Sequence, residues 1–247
     1  MLDNILTRLK HGVSPLKENV FSCSIHPGNK LLGILELSNK DILLINKPKG
    51  ISSAQAVNKI KKSLGVKKAG HAGTLDKEAE GLLIVGLGRG TKKLPSYQQL
   101  PKTYRVKIKL GVSTDTDDLS GKIIGEKPTK GITREKVEKT LKQFIGKHLQ
   151  VPPVYSAVKL QGKPAYKLAR QGQKPRLTAK EVELLQTKIL DFSLPYLALE
   201  LKTSKGFYVR SFARDLGQVL GCGAAVAELT RTAIGPYKLE KAAPFKL

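Results

Sequence analysis

Gly70-His71-Ala72-Gly73-Thr74-Leu75-Asp76, running on into Lys77-Glu78-Ala79-Glu80-Gly81-Leu82-Leu83, is the stretch around which the chain organises. Two glycines and a small residue allow a tight turn that ends on a single carboxylate, with His71 just upstream. For an aspartate ahead of a short helical run the first expectation is an N-cap. Cap and reactive acid are compatible roles, because backbone N–H groups that satisfy a carboxylate also hold it in one pose. Upstream, Ile42-Leu43-Leu44-Ile45 stopped by Asn46-Lys47-Pro48-Lys49-Gly50 reads as a buried strand entering a turn. Ser52 or Ser53 can then cap a helix with Val57, Ile60 and Leu64 on one face, basic Lys59, Lys61 and Lys62 on the other, and Gly65 closing it. Downstream, Leu82 to Val85 is a second apolar run.

Further along, Tyr104, Val106, Ile108 and Leu110 alternate with Arg105, Lys107 and Lys109 as in a half-buried strand. Thr133 opens a helix with Val137, Leu141, Phe144 and Ile145 on one side, ended by Gly146. Residues 151–180, rich in glycine and proline among basic and aromatic residues, read as a long functional loop with a short helix near 165–171. Leu197, Leu199 and Leu201 mark a strand. After the Ser204-Lys205-Gly206 turn, Phe212, Leu216 and Val219 mark a helix ended by Gly221. Strands and helices interleave without a strict βαβ rhythm, so the expected class is α+β: a mixed, mostly antiparallel central sheet with flanking helices. Residues 1–40 form a leader of unreadable role, whose Val20, Phe21, Leu31 and Ile34 suggest packing.

The 247 residues carry 44 Lys+Arg against 20 Asp+Glu, a formal net charge of +24. Such an excess points to a polyanionic partner and away from small neutral metabolites. Cys23 and Cys222 are too few and too distant for a disulfide framework or thiolate zinc site, and His11, His26, His71 and His148 form no close-spaced ligand pair. With no apolar targeting segment or membrane-length run, a cytoplasmic protein is expected. Two nucleotide-like or metal-like motifs fail on spacing. Gly86-Leu87-Gly88-Arg89-Gly90-Thr91 fits neither a dinucleotide fingerprint nor a P-loop. In Asp115-Thr116-Asp117-Asp118-Leu119-Ser120-Gly121, Leu119 sits where a calcium loop needs an oxygen ligand.

Five segments in order resemble the TruB family of tRNA pseudouridine synthases. They are Asn46–Gly50 with Ser52-Ser53; Gly70–Leu83; Lys102-Thr103-Tyr104 with Leu110-Gly111 and Thr114–Asp117; Pro152–Lys159 with Ala165-Tyr166 and Ala169–Gly172; and Ser204–Arg210 with Asp215-Leu216-Gly217 and Leu229-Thr230-Arg231. The resemblance covers about residues 41–235. It implies the pseudouridine synthase catalytic fold over 41–247, an RNA-gripping insertion at about 151–180, and no C-terminal PUA or other RNA-binding domain, since the chain ends at Leu247. It further implies isomerisation of the T-loop uridine (position 55) of tRNA after the base is flipped out, by a monomer with no cofactor and no metal.

By the same resemblance Asp76 is the catalytic aspartate and Arg210 its ion-pair partner. Tyr104 is the active-site tyrosine, although its place on an apolar strand face reads as core from the residues alone. Lys47 and Pro48 support the site, and Leu229 walls the base. His71 fills the space the flipped base leaves, and Tyr155, Lys159, Tyr166, Arg170 and Tyr208 contact RNA. The sequence departs from the family at Lys77, where proline is usual, at Glu80, where a small hydroxyl residue is usual, and at Phe207, where threonine is usual. Lys77 adds a cation near Asp76. Two other readings keep the fold: a tRNA-folding chaperone without turnover, and the same reaction on another RNA. The charge balance predicts that tRNA affinity falls steeply with salt, the logarithm of the binding constant declining by about 0.7–0.9 per phosphate neutralised. A nearly flat slope in a salt titration contradicts that.

Overall fold

The computed structural model describes residues 41–156, 158–160, 162–173 and 175–245; the leader read over residues 1–40 lies outside them. In chain order the elements are β1 (Ile42–Lys47), α1 (Ser53–Ser63), β2 (Ala69–His71), β3 (Glu80–Leu87), a 3-10 turn (Gly88–Lys93), α2 (Leu94–Gln99), β4 (Lys102–Leu110), β5 (Val112–Thr114) and β6 (Ile123–Glu126). There follow α3 (Arg134–Phe144), β7 (Gly146–Gln150), β8 (Lys159–Leu160), β9 (Lys163–Pro164), α4 (Ala165–Arg170), β10 (Lys180–Ser193) and β11 (Tyr196–Thr203). The last are α5 (Val209–Leu220), β12 (Ala224–Ile234), β13 (Tyr237–Lys238), a 3-10 turn (Leu239–Lys241) and β14 (Ala243–Pro244).

The central sheet runs β14-β1-β3-β12-β4-β11-β10-β7, with β2 on β3 and β13 on β12. Every ladder in it is antiparallel except β1–β14 and β3–β12. The mixed, mostly antiparallel α+β sheet expected from the sequence is therefore the observed one.

The two halves of the sheet are buried differently, and their sequences say why. β1 and β3 are covered on both faces. Leu43, Ile45, Leu83 and Val85 pack on Ala56, Val57 and Ile60 of α1, while Leu44, Leu82 and Ile84 pack on Leu94, Tyr97 and Ile234. Two buried faces call for unbroken apolar runs. β4 is covered on one face only. Tyr104, Val106, Ile108 and Leu110 join Leu197, Leu199 and Leu201 under α3 and α5, whereas Arg105 and Lys107 face away and pair with Glu200 and Glu228. Alternation follows from that single covering.

Local signals held in several places. Ser52 caps α1 in a reciprocal box with Gln55, and Thr133 caps α3. Gly221 ends α5 at φ +83°. The glycines near residue 88 serve packing: a Cβ on Gly90 would lie 2.0 Å from the Asp41 carbonyl oxygen. Other expectations need correction. No helix follows Asp76, only a turn in which the Ala79 N–H donates to the Asp76 carbonyl, so this aspartate caps nothing. Ile145 and Val219 are exposed, because the chain has turned extended at the first and the second lies on the solvent side of α5. Residues 151–180 contain the β8–β9 hairpin as well as the short helix expected there, α4. Among the described residues no helix is long and apolar enough to cross a membrane.

α5 lies close against β12 at Gly217, where an added Cβ would stand 2.2 Å from the Ala224 nitrogen and 2.4 Å from the Gly223 carbonyl carbon. Alanine gains about 1 kcal/mol of helix propensity over glycine. The backbone it would strike cannot rotate away, and overpacking of this kind costs about 1–3 kcal/mol. Gly217→Ala is thus expected to lower stability in urea unfolding despite its better propensity.

Candidate active site

The turn between β2 and β3 is held from three sides. From α1, the buried Ser53 hydroxyl accepts the Leu75 N–H at 2.8 Å and donates to the Leu75 carbonyl at 2.9 Å. From β12, the buried Arg231 donates Nη2 to the Gly73 carbonyl at 3.2 Å and Nη1 to the Thr74 carbonyl at 3.4 Å. From the β1 end, the Gly50 N–H donates to the Lys77 carbonyl at 2.8 Å. Gly73 takes φ +98° and Gly81 φ +108°, values that admit glycine but strain other residues. The Asp76 carboxylate emerges from this frame 41% exposed.

Its partner is the buried Arg210 in the first turn of α5, whose Nε donates to Asp76 Oδ2 at 2.8 Å. The rest of that guanidinium is also engaged. Nη1 donates to the Thr116 carbonyl at 3.0 Å and lies 3.7 Å from Asp118 Oδ2, and Nη2 donates to the Tyr155 carbonyl at 3.0 Å. A guanidinium with its donors fixed in a fork leaves little freedom to the carboxylate it holds. The start of α5 is anchored in turn: Gln150 takes the Tyr208 N–H at 2.8 Å and donates to the Tyr208 carbonyl at 3.1 Å, and the Ser211 hydroxyl donates to the Val151 carbonyl. Asp117 pairs with Arg214 at 3.0 Å. The acidic stretch at 115–118 thus supplies carboxylates to two arginines.

Asp76 and Leu229 line both a cavity of about 730 Å³ and a smaller one of about 290 Å³ beside it. The larger is walled by Tyr104, Tyr155, Tyr166 and Tyr208, and Arg170 reaches its rim with its guanidinium over the Tyr166 ring at 5.6 Å. Its size falls in the range of small-molecule and cofactor pockets. Burial first, then the Asp76 carboxylate, push the Tyr208 phenol above its ordinary pKa.

The remaining expected residues fall on either side of this hollow. Lys47 is fully buried, its ammonium donating to the carbonyls of Pro48 and Ile51, each at 2.8 Å. Pro48 itself is exposed and enters through its carbonyl. His71, half-buried at the end of β2, lines neither cavity; its Nδ1 is unpartnered, and burial followed by the Arg231 guanidinium lowers its pKa. Lys159 is exposed and also stands outside both cavities. Lys77 is exposed, Glu80 accepts from the Thr230 hydroxyl at 3.2 Å, and Phe207 is buried against Phe212 and His148. Lys77 and Phe207 line the larger cavity with Asp76, whereas Glu80 lines neither.

Ser53, Asp118, Gln150 and Arg231 work in the site without a site role having been expected of them. Ser53 and Arg231 do stand in the segments that carry the resemblance, and Arg231 lies two places beyond Leu229, so a strand there puts an arginine on an inward face. For Gln150 there was no signal, since its partner is distant in the chain.

Residues 61–209 match the family model described as TruB family pseudouridylate synthase (N terminal domain), and residues 210–246 match tRNA pseudouridylate synthase B C-terminal domain. A tRNA pseudouridine synthase B of Ruegeria pomeroyi is 44% identical over 199 residues, 80% of this chain and 65% of the relative. One from Parabacteroides distasonis is 43% identical over 206 residues, 81% of this chain and 88% of the relative. Several other curated relatives are matched over 63–66% of their length, slightly under two thirds. Among solved structures, a chain of a Cbf5-Nop10-Gar1 complex superposes with a TM-score of 0.66 at 27% identity, covering 85% of this chain and 54% of that one.

Burial also sets a pH dependence. Lys47 is lowered to about 8 from an ordinary 10.5 by desolvation, with Asp76 and Glu78 opposing and Arg231 adding to the shift. A lysine depressed in the folded state binds its proton less tightly there than when unfolded. Below pH 8 both states are protonated and the burial cost is present in full; between about 8 and 10.5 the cost is relieved, so stability rises with pH. Measured in urea from pH 7.5 to 10.5, wild type is expected to gain on Lys47→Met by up to about 3 kcal/mol. A difference that stays constant across that range contradicts the assignment.

Proposed function

The chain belongs to the TruB family of pseudouridylate synthases, and from that membership and the geometry of the turn we propose that it isomerises the T-loop uridine (position 55) of tRNA to pseudouridine. The observation that carries this reading is the Asp76–Arg210 pair at 2.8 Å, a half-exposed carboxylate fixed at the mouth of the larger cavity by a buried guanidinium. The relatives named tRNA pseudouridine synthase B support tRNA as the substrate class.

In the proposed reaction the C1′–N1 bond of the uridine breaks, the uracil turns, and a C1′–C5 bond forms. The C5 proton then leaves and N1 ends protonated. No atom or electron is gained or lost, so the reaction as written calls for no oxidant, metal or cofactor. Asp76 is the nucleophile or base of the first step. Tyr104 and Leu229 hold the detached base between an aromatic face and an apolar wall. The uridine reaches them only when flipped out of its stack, at a cost of a few kcal/mol. His71 takes the vacated place, and Tyr155, Lys159, Tyr166, Arg170 and Tyr208 grip the surrounding strand. The reading carries with it a cytoplasmic protein that acts as a monomer.

The test is a pseudouridine assay on unmodified T-arm RNA. Wild type is expected to convert the target uridine, and Asp76→Asn to lose about 10³-fold or more in single-turnover rate while still binding RNA. No product from wild type, or equal rates from the two proteins, overturns the proposal. Equal tRNA folding activity with no turnover from either would point to a chaperone instead.

A further inference from the structure

Arg231 is 1% exposed and lies at the floor of the larger cavity. Among the ion pairs of the described residues none includes it, and the carboxylate that acts on it, Asp76, pairs with Arg210. Its donors go instead to neutral acceptors. Nε donates to the Leu82 carbonyl at 2.8 Å, Nη1 and Nη2 reach the Thr74 and Gly73 carbonyls, and the Tyr104 side chain lies beside it from the facing strand. The backbone fixes that arrangement. Arg231 stands opposite Tyr104 on the β12–β4 ladder and opposite Gly81 on the β12–β3 ladder. A Cβ on Gly81 would lie 2.4 Å from the Arg231 carbonyl oxygen, so the two strands touch at a point where only glycine fits.

A guanidinium stripped of water and given no contacting carboxylate is a costly way to fill a core position, and apolar side chains of similar volume do as well or better for stability alone. What this arginine has that they lack is a rigid fork of donors. One branch of the fork faces the carbonyls just before Asp76. The arginine's neighbour across the ladder is Tyr104, on β4.

We infer that Arg231 is a positioning residue for the reaction: its guanidinium, bonded to the Asp76 turn and packed beside Tyr104, bears on the Tyr104 hydroxyl and so sets the distance between the two groups across the cavity. The inference rests on the proposed reaction and adds a residue to it. Arg231 touches no reacting atom. It acts through Tyr104 and through the carbonyls of Gly73 and Thr74, while Arg210 holds the carboxylate from the opposite side.

The experiment is a double-mutant cycle with Arg231→Lys, Tyr104→Phe and the double variant. Single-turnover rate, RNA dissociation constant and melting temperature are measured for each, well below its own melting point. A single ammonium cannot serve all three carbonyls and still bear on Tyr104, and misplacement by about 1 Å can cost about 100-fold in rate. Arg231→Lys is expected to lose about 100-fold in rate with RNA affinity within about threefold of wild type. The double variant should be no more than about threefold worse than the poorer single one, because both changes remove the same link. Additive losses, a rate for Arg231→Lys within about threefold of wild type, or a loss that follows melting temperature overturns the inference.

A second readout does not depend on turnover. In protein labelled with ¹³Cζ tyrosine, the Tyr104 resonance, assigned by its loss in Tyr104→Phe, is expected to shift in Arg231→Lys and in the milder Arg231→Gln. An unmoved resonance in folded variants refutes the contact even if wild type proves inactive on RNA. A shift in an inactive protein would leave the contact standing and defeat the proposed reaction, and with it the positioning role.

Discussion

One buried guanidinium, that of Arg210, connects the parts of this molecule that chemistry requires together. It takes the carboxylate of Asp76 from the β2–β3 turn, the Thr116 carbonyl and the Asp118 carboxylate from the loop after β5, and the Tyr155 carbonyl from the insertion. Arg214 reinforces the same meeting by bonding both Asp117 and the Val151 carbonyl. Taking a charge out of water costs several kcal/mol, offset only when nearly every donor is satisfied. That requirement brings three separate segments into one arrangement. The anchoring of α5 by Gln150 and Ser211 makes the helix a fixed mount for that arginine.

Beneath the turn the charge balance is tilted. Lys47, Lys102 and Arg231 are buried close together, and their ammonium and guanidinium groups bond mainly to backbone carbonyls. Both lysines are pushed down to about 8, by burial first in each case and by Arg231 besides. Carbonyl oxygens compensate a cation less well than a carboxylate does. Three cations are therefore buried around the turn, opposed by Asp76, Glu78 and Glu80, in a chain whose overall excess of positive charge favours a polyanionic substrate.

Several elements could be read before any fold was known, and each for a local reason. β1 announces itself through an unbroken apolar run and β4 through alternation; Ser52, Thr133 and Gly221 mark helix ends by their own hydrogen bonding and dihedral preferences. β10 and β12 escaped because each is interrupted by register shifts, in β12 between Val226 and Glu228 and again between Arg231 and Ala233. A bulge moves the side chains after it to the opposite face, so a central strand loses its period-two signature. Ile145 and Val219 failed for the converse reason: periodicity marks a face, but not where its covering ends.

The site divides along the same line. Asp76, Tyr104 and Arg210 stand in segments specific enough to resemble a family, and the chain's composition alone pointed to a polyanion. These are properties of short stretches and of totals, which need no long-range contact to be expressed. That the aspartate caps no helix, that Ser53 and Arg231 frame its turn, and that His71 and Lys159 stand outside the cavity were decided only when the sheet closed. The hydrogen bonds involved join residues from 22 to 158 positions apart. Such pairs leave no periodic trace in the chain, because their geometry is set by the packing of elements that are themselves distant in sequence.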